Sequence, residues 1–185
     1  MKRIFIALKV EAGDTLIRSI SSLRSLLMNE RINWVDPANI HLTLAFLGDM
    51  EDERIKAVDI AVREKCRRFG SFSFRIAGTG LFRNFRDPRV IWAGIEECEQ
   101  IISLNRQILK GLNDAGIEIK EQPFRPHITL GRIKYLKDIK LLESALDPYR
   151  YIDFQEVFIS EVILFESILK PSGPLYRSLG KFSLI

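Results

Sequence analysis

The chain has 185 residues, of which 46% are hydrophobic and 28% charged, the balance of one globular body with a substantial core. Its 28 basic and 24 acidic residues leave a net charge of +4 (28 − 24), which suits an anionic partner without identifying one. No apolar run is long enough to cross a bilayer, and MKRIFIALKV lacks the long apolar stretch and small-residue cleavage site of a signal peptide. The cytoplasm is therefore the expected location. Cys66 and Cys98 stand far apart in helical-looking segments, where reduced, half-buried thiols are expected. With only two histidines and two scattered cysteines, no structural zinc site is expected.

Residues 2–10 alternate as a strand, with Ile4, Ile6 and Leu8 on one side and Arg3, Phe5 and Ala7 on the other. Asp14 is a candidate cap for a helix carrying Leu16, Ile20, Leu23 and Leu27 at helical spacing. A connection with Trp34 and Asp36-Pro37 leads to the strand NIHLTLAFL, broken at Gly48-Asp49. Ile55, Val58, Val62, Cys66 and Phe69 define a second helix, and SFSFRIAG another strand. Residues 78–89 read as a turn-rich loop or hairpin. RVIWAGIE is a strand, and Ile101, Leu104, Ile108 and Leu112 mark a third helix stopped near Gly116. A short strand is expected at 117–120, then PHITLGRI, then a helix with Ile139, Leu142 and Leu146. The rest is strand-like with a Pro/Gly turn.

The chain repeats itself. The two histidines lie 127 − 41 = 86 residues apart, and the same slide places RIFIAL at residue 3 on RVIWAG at residue 89. Strand, helix, strand, helix, strand occurs twice, over about 3–80 and 89–165. Residues 161–185 are expected to add a closing hairpin to the second half. Residues 1–185 are thus expected to form a single bilobal domain, its halves related by a pseudo-twofold axis, with a cleft that brings His41 and His127 together.

Both histidines of the chain precede the same Thr-Leu pair, in HLTL and HITL. In a strand His41 and Thr43 share one face, and so do His127 and Thr129; Leu42, Leu44, Ile128 and Leu130 share the other. One H-x-T alone would fit an ordinary strand with a satisfied histidine. Two, at the offset of the repeat, offer two imidazoles and two hydroxyls across a cleft. One neutral imidazole can take a proton from an attacking hydroxyl while a protonated one gives a proton to the leaving oxygen. The hydroxyls can hold the non-bridging oxygens of a phosphodiester, and no metal or cofactor is called for. Which histidine is acid and which is base stays open on the residues alone.

These motifs, NIHLTLAFLG and PFRPHITLGR, resemble those of the 2H phosphoesterase superfamily, and with RIFIAL, RVIWAGIE and the tail ESILKPSGPLYRSLGKFSL they resemble its RNA 2',3'-cyclic phosphodiesterases of the LigT/ThpR type. The resemblance implies an α+β fold with two pseudo-symmetric halves, antiparallel-rich sheets lining a central cleft and helices outside. It implies hydrolysis of an RNA 2',3'-cyclic phosphate end to a 2'-phosphomonoester, with His41 as general acid and His127 as general base, and reversible ATP-independent 2'–5' joining. A phosphodiesterase for 2'–5' oligonucleotides or small cyclic nucleotide esters, or a non-catalytic RNA end-binding module, are the alternatives. Arg132 matches an arginine of the second motif and needs a bend after Gly131 to share a face with His127. Arg125 shares that face already, and Phe5 is a candidate base-stacking residue. Tyr176 and Ser167 of the tail are expected to border the groove, Trp34 and Trp92 to pack in connections, and the stretch 82–86 is a further candidate RNA contact. A monomer is expected, because the cleft is made within one chain.

Overall fold

The computed structural model describes residues 1–82, 87–96, 99–119, 123–171 and 173–185. The alternation of KRIFIALK makes β1 (Lys2–Lys9), which sends Ile4, Ile6 and Leu8 into the main core and turns Phe5 and Ala7 the other way. The apolar stripe of α1 (Asp14–Leu26) buries Leu16, Ile20 and Leu23. Asp14 is not its cap: Gly13 occupies that position, and its N–H donates to Gln155 Oε1 at 2.6 Å. Gln155 Nε2 also donates to the Glu11 carbonyl at 2.9 Å, so a distant amide closes the helix start from both sides.

Further along lie β2 (Arg31–Trp34), β3 (His41–Met50), α2 (Asp52–Cys66), β4 (Phe72–Phe82) and β5 (Val90–Glu96). They are followed by α3 (Glu99–Asp114), β6 (His127–Tyr135), α4 (Ile139–Leu146), β7 (Asp153–Ile159), β8 (Glu161–Lys170) and β9 (Gly173–Ser183). Within the stretch 78–89, expected as a loop or hairpin, residues 78–82 belong to β4 and pair antiparallel with β5 as one arm of a hairpin: Gly78 takes a left-handed φ of 65° at an irregularity, after which Thr79–Phe82 pair again with β5. Residues 117–119 form no strand, and residue 120 lies outside the described residues. Gly116, with φ of 73°, follows the end of α3 as expected.

The strands form two antiparallel sheets, ordered β3-β1-β8-β9 and β2-β6-β5-β4-β7. The sequence halves do not map one to one onto these sheets. β4, from the first half, pairs with β5 and β7 in the second sheet. The hairpin β8–β9, expected to complete the second half, instead pairs through β8 with β1 in the first sheet. The helices cross as well. α1 leaves the first sheet and packs on β7 and α4, while α3 leaves the second and packs on β3 and α2. The crossing joins the lobes through one apolar core running from Ile4 to Leu184. Each large aliphatic side chain buried there contributes about 1.5–3 kcal/mol. Among the described residues, no helix is long and apolar enough to cross a membrane.

The sheets meet along β3 and β6, the two strands that carry the H-x-T-L motifs. A second, small apolar cluster of Phe5, Ala7, Ile163 and Phe165, with Tyr176 against it, lines the groove face of the first sheet.

Candidate active site

On both motif strands the expected alternation holds. His41, Thr43, His127 and Thr129 are half-buried, and Leu42, Leu44, Ile128 and Leu130 are buried in the core. Each imidazole is held in the same way. His41 Nδ1 lies 2.6 Å from the Asn39 carbonyl oxygen, and His127 Nδ1 lies 2.7 Å from that of Arg125. A carbonyl can only accept, so Nδ1 carries the proton and Nε2 is left as the atom that gives or takes one.

The two rings have different supports. Phe5 lies 5.1 Å from His41, and Tyr176 meets it edge-on at 5.2 Å. Asn39, whose carbonyl orients His41, donates from its side chain to the Pro174 carbonyl at 3.2 Å, so the last hairpin braces this histidine twice. His127 is met edge-on by Phe82 at 4.6 Å, and Phe82 lies 5.7 Å from Trp92. Burial lowers the pKa of both histidines; their carbonyl partners oppose this, and the Arg132 guanidinium lowers both further. His127 adds a smaller lowering effect on His41.

Arg132 reaches the site through a bulge. Thr129 pairs with Trp92 and Gly131 with Ile91, which leaves Leu130 as the extra residue on β6. Parity changes there, and Arg132 stands exposed between buried Gly131 and Ile133, on the side of His127 and Thr129. The first half bulges at the same place: Thr43 pairs with Ala7 and Ala45 with Ile6, leaving Leu44 extra. Both bulged carbonyls are satisfied, Leu44 by Asn105 Nδ2 of α3 at 2.7 Å and Leu130 by the Val35 N–H at 2.9 Å. Phe46, 51% exposed, thus holds in the first half the place that Arg132 holds in the second, and the Arg3 guanidinium sits 5.0 Å from its ring centroid.

The flanking strands correct the 86-residue slide. Opposite Thr43 stands Ala7, and opposite Thr129 stands Trp92, so β1 and β5 are related by 92 − 7 = 85 residues. A one-residue slip exchanges the faces of a strand. It puts Trp92 on the groove face beside Thr129 instead of in a connection. The indole covers Gly80 so closely that a Cβ there would lie 2.3 Å from the ring, and Trp92 Nε1 is buried without an acceptor among the described residues. Gly80→Ala is expected to push the ring off its seat and cost about 1–3 kcal/mol of stability. A shifted tryptophan emission together with a lower denaturation midpoint would show it; an unchanged emission would mean that the seat is not tight.

Of the other expected contacts, Phe5 is 4% exposed and ringed by His41, Phe165 and Tyr176, so it supports His41 instead of offering an open face to a base. Arg125 is exposed and lines, with Thr43, Phe46, Phe82, Phe124 and His127, a cleft of about 1290 Å³. Arg3, Arg125 and Arg132 form no ion pair among the described residues. Ser167 is the cross-strand partner of Tyr176, and Trp34 packs near Gly131. Residues 83–86 of the aromatic-basic stretch lie outside the described residues, as does Cys98. Burial pushes the Cys66 thiol up to about 12, which makes it inert. Phe46, on the motif strand β3, is the groove residue that strand patterning did not single out; Phe82, the last residue of β4, opens the stretch 82–86 already named as a candidate contact.

Known proteins share this plan. The family model described as LigT like phosphoesterase matches residues 6–92 and again 94–176. An RNA 2',3'-cyclic phosphodiesterase of Thermotoga maritima is 34% identical over 96% of this chain and 92% of its own length. Another, from Methanothermobacter thermautotrophicus, is 30% identical over 98% of both chains. The crystal structure of TT0787 of Thermus thermophilus superposes with a TM-score of 0.77 at 30% identity, covering 98% of this chain and 97% of that one. The two-motif groove and these likenesses together place the chain in the LigT-like phosphoesterase family.

Proposed function

We propose that this protein is an RNA 2',3'-cyclic phosphodiesterase that opens the cyclic phosphate to a 2'-phosphomonoester by two-histidine acid–base catalysis without a metal. The curated relatives bear that name over nearly the full chain. The observation that carries the mechanism is the matched pair of imidazoles, each fixed through Nδ1 at 2.6 and 2.7 Å with Nε2 left to act.

In this reading His127 Nε2 takes a proton from water as the water oxygen attacks phosphorus. The P–O3' bond breaks on the opposite side, and protonated His41 gives its proton to the departing O3'. The products are a 2'-phosphate and a free 3'-hydroxyl, and exchange with solvent resets both rings. Thr43 and Thr129 donate to the non-bridging oxygens, and the Arg132 guanidinium offsets their charge. A 5'-hydroxyl in place of water would be joined as a 2'–5' phosphodiester by the same steps, with no need for ATP. One chain supplies all four motif residues, so the monomer is the proposed active form.

The test is incubation with an RNA ending in a 2',3'-cyclic phosphate in excess EDTA, with the product identified by phosphorus NMR. A 2'-phosphate formed at an undiminished rate is expected. A 3'-phosphate would reverse the leaving oxygen, and strict dependence on added divalent metal would sink the two-histidine mechanism.

A further inference from the structure

The cleft extends well past the histidine pair. Its volume of about 1290 Å³ exceeds the roughly 300–1,000 Å³ of pockets that enclose one small molecule. It runs from Thr43 and His127 to α3, where Asn105, Leu109 and Asn113 recur at four-residue spacing and turn one face of that helix into its wall. The buried Asn105, bonded to the Leu44 carbonyl, ties this wall to the bulge beside Thr43. Lys110, next to the stripe, lines the same cleft, is exposed, and forms no ion pair among the described residues. Half-buried Phe124 stands in the wall as well, and Glu118 is the one carboxylate among the described lining residues.

A nucleotide whose cyclic phosphate lies at the histidines continues into RNA only through its 5'-oxygen. Phe5 and Tyr176 close the side of His41, while the α3 side is open. An unpaired cation and an aromatic ring along an open groove are the means by which proteins hold single-stranded nucleic acid. We propose that the α3 end of the cleft is a second nucleotide subsite, which takes the phosphodiester and base on the 5' side of the terminal nucleotide, with Lys110 on the phosphate and Phe124 against the base. The proposal rests on the cyclic-phosphodiesterase reading and adds to it a preference for RNA ends over cyclic mononucleotides.

Two measurements test it. Fluorescence anisotropy with a 5'-labelled tetranucleotide ending in a 2'-phosphate reads binding without turnover, and displacement by 2'-AMP reads the terminal subsite alone. The wild-type protein should bind the tetranucleotide at least about tenfold more tightly than 2'-AMP, with a log–log salt slope steeper by about 0.7 for the added phosphate contact. Lys110→Gln, an exposed change, should weaken tetranucleotide binding about five- to tenfold and remove that extra slope, with 2'-AMP unaffected. Equal affinities in the wild type, or a Lys110→Gln effect that is absent or the same for both ligands, would overturn the subsite. Hydrolysis of the cyclic tetranucleotide and of adenosine 2',3'-cyclic phosphate is followed in parallel. If neither turns over while the Lys110-dependent binding difference stands, the phosphodiesterase reading fails and the subsite survives.

Discussion

Replacing either histidine should stop the reaction almost completely. His41→Ala and His127→Ala are each expected to lower kcat by roughly a hundred- to ten-thousand-fold, because in the proposed mechanism each removes a proton-transfer partner from the transition state. The double variant should lose little more than the worse single one, since acid and base act as a unit. The two roles separate with an activated diester whose leaving group is p-nitrophenolate. That group departs without a proton, so His41→Ala should recover most of its loss on it and His127→Ala should not. The reverse pattern would exchange acid and base between the rings; recovery by neither would mean that proton donation to the leaving oxygen is not what His41 does. Binding of 2'-AMP should survive both changes within a few-fold, and its loss would point to a collapsed groove instead. A binding module without turnover would show no rate for either substitution to reduce.

Much of this site can be read from two four-residue motifs because strand geometry leaves few choices. His41 and Thr43 must share a face, and their leucines must take the other. The same rule is blind to bulges. Leu44 and Leu130 each add one residue, and every inference about the residues after them changes side. This is why Arg132 needs the bend that Leu130 supplies, and why Phe46 turns outward. An identical slide of 86 residues also looks right for RIFIAL and RVIWAG because both place alanine fifth, yet the pairing relates them by 85. The face that a tryptophan occupies depends on that single residue, and no local propensity reports it.

The lobes were less legible than the site. Local patterning orders most of the elements, although it reads β2 as part of a connection and expects a strand at 117–120 where 117–119 form none; sheet membership is decided by partners far away in the chain. β4 returns against β5 across a short connection, which carries it into the second sheet, and β8 then fills the place beside β1. The consequence is functional. Tyr176 and Pro174, which brace His41 and Asn39, come from the last hairpin, with Pro174 lying 135 residues after Asn39. The tail therefore belongs to the first motif, although the sequence order attaches it to the second.

Arg132→Gln should both slow the enzyme and move its pH optimum upward. In the proposed mechanism the change removes a charged partner of the phosphoryl oxygens, which is expected to cut kcat/KM by about ten- to a hundredfold. The pH effect follows from the cation's place beside both rings, where it opposes protonation of each. Removing it raises both histidine pKa values toward the ordinary value near 6.5. In kcat/KM, which reports the free enzyme, the acid limb marks loss of the neutral base and the alkaline limb marks loss of the protonated acid. Both limbs therefore shift to higher pH together, and the bell moves without inverting. Bound phosphodiester acts in the same direction, because its negative charge favours imidazolium, so the kcat profile of the wild type should lie alkaline of its kcat/KM profile. Arg125→Gln is the control: Arg125 holds His127 through its backbone carbonyl, which the substitution keeps, and its side chain is not among the causes that lower either ring. It should leave the optimum in place. An optimum that stays fixed in Arg132→Gln, or that moves equally in both variants, would mean that Arg132 does not act on the histidines through its charge.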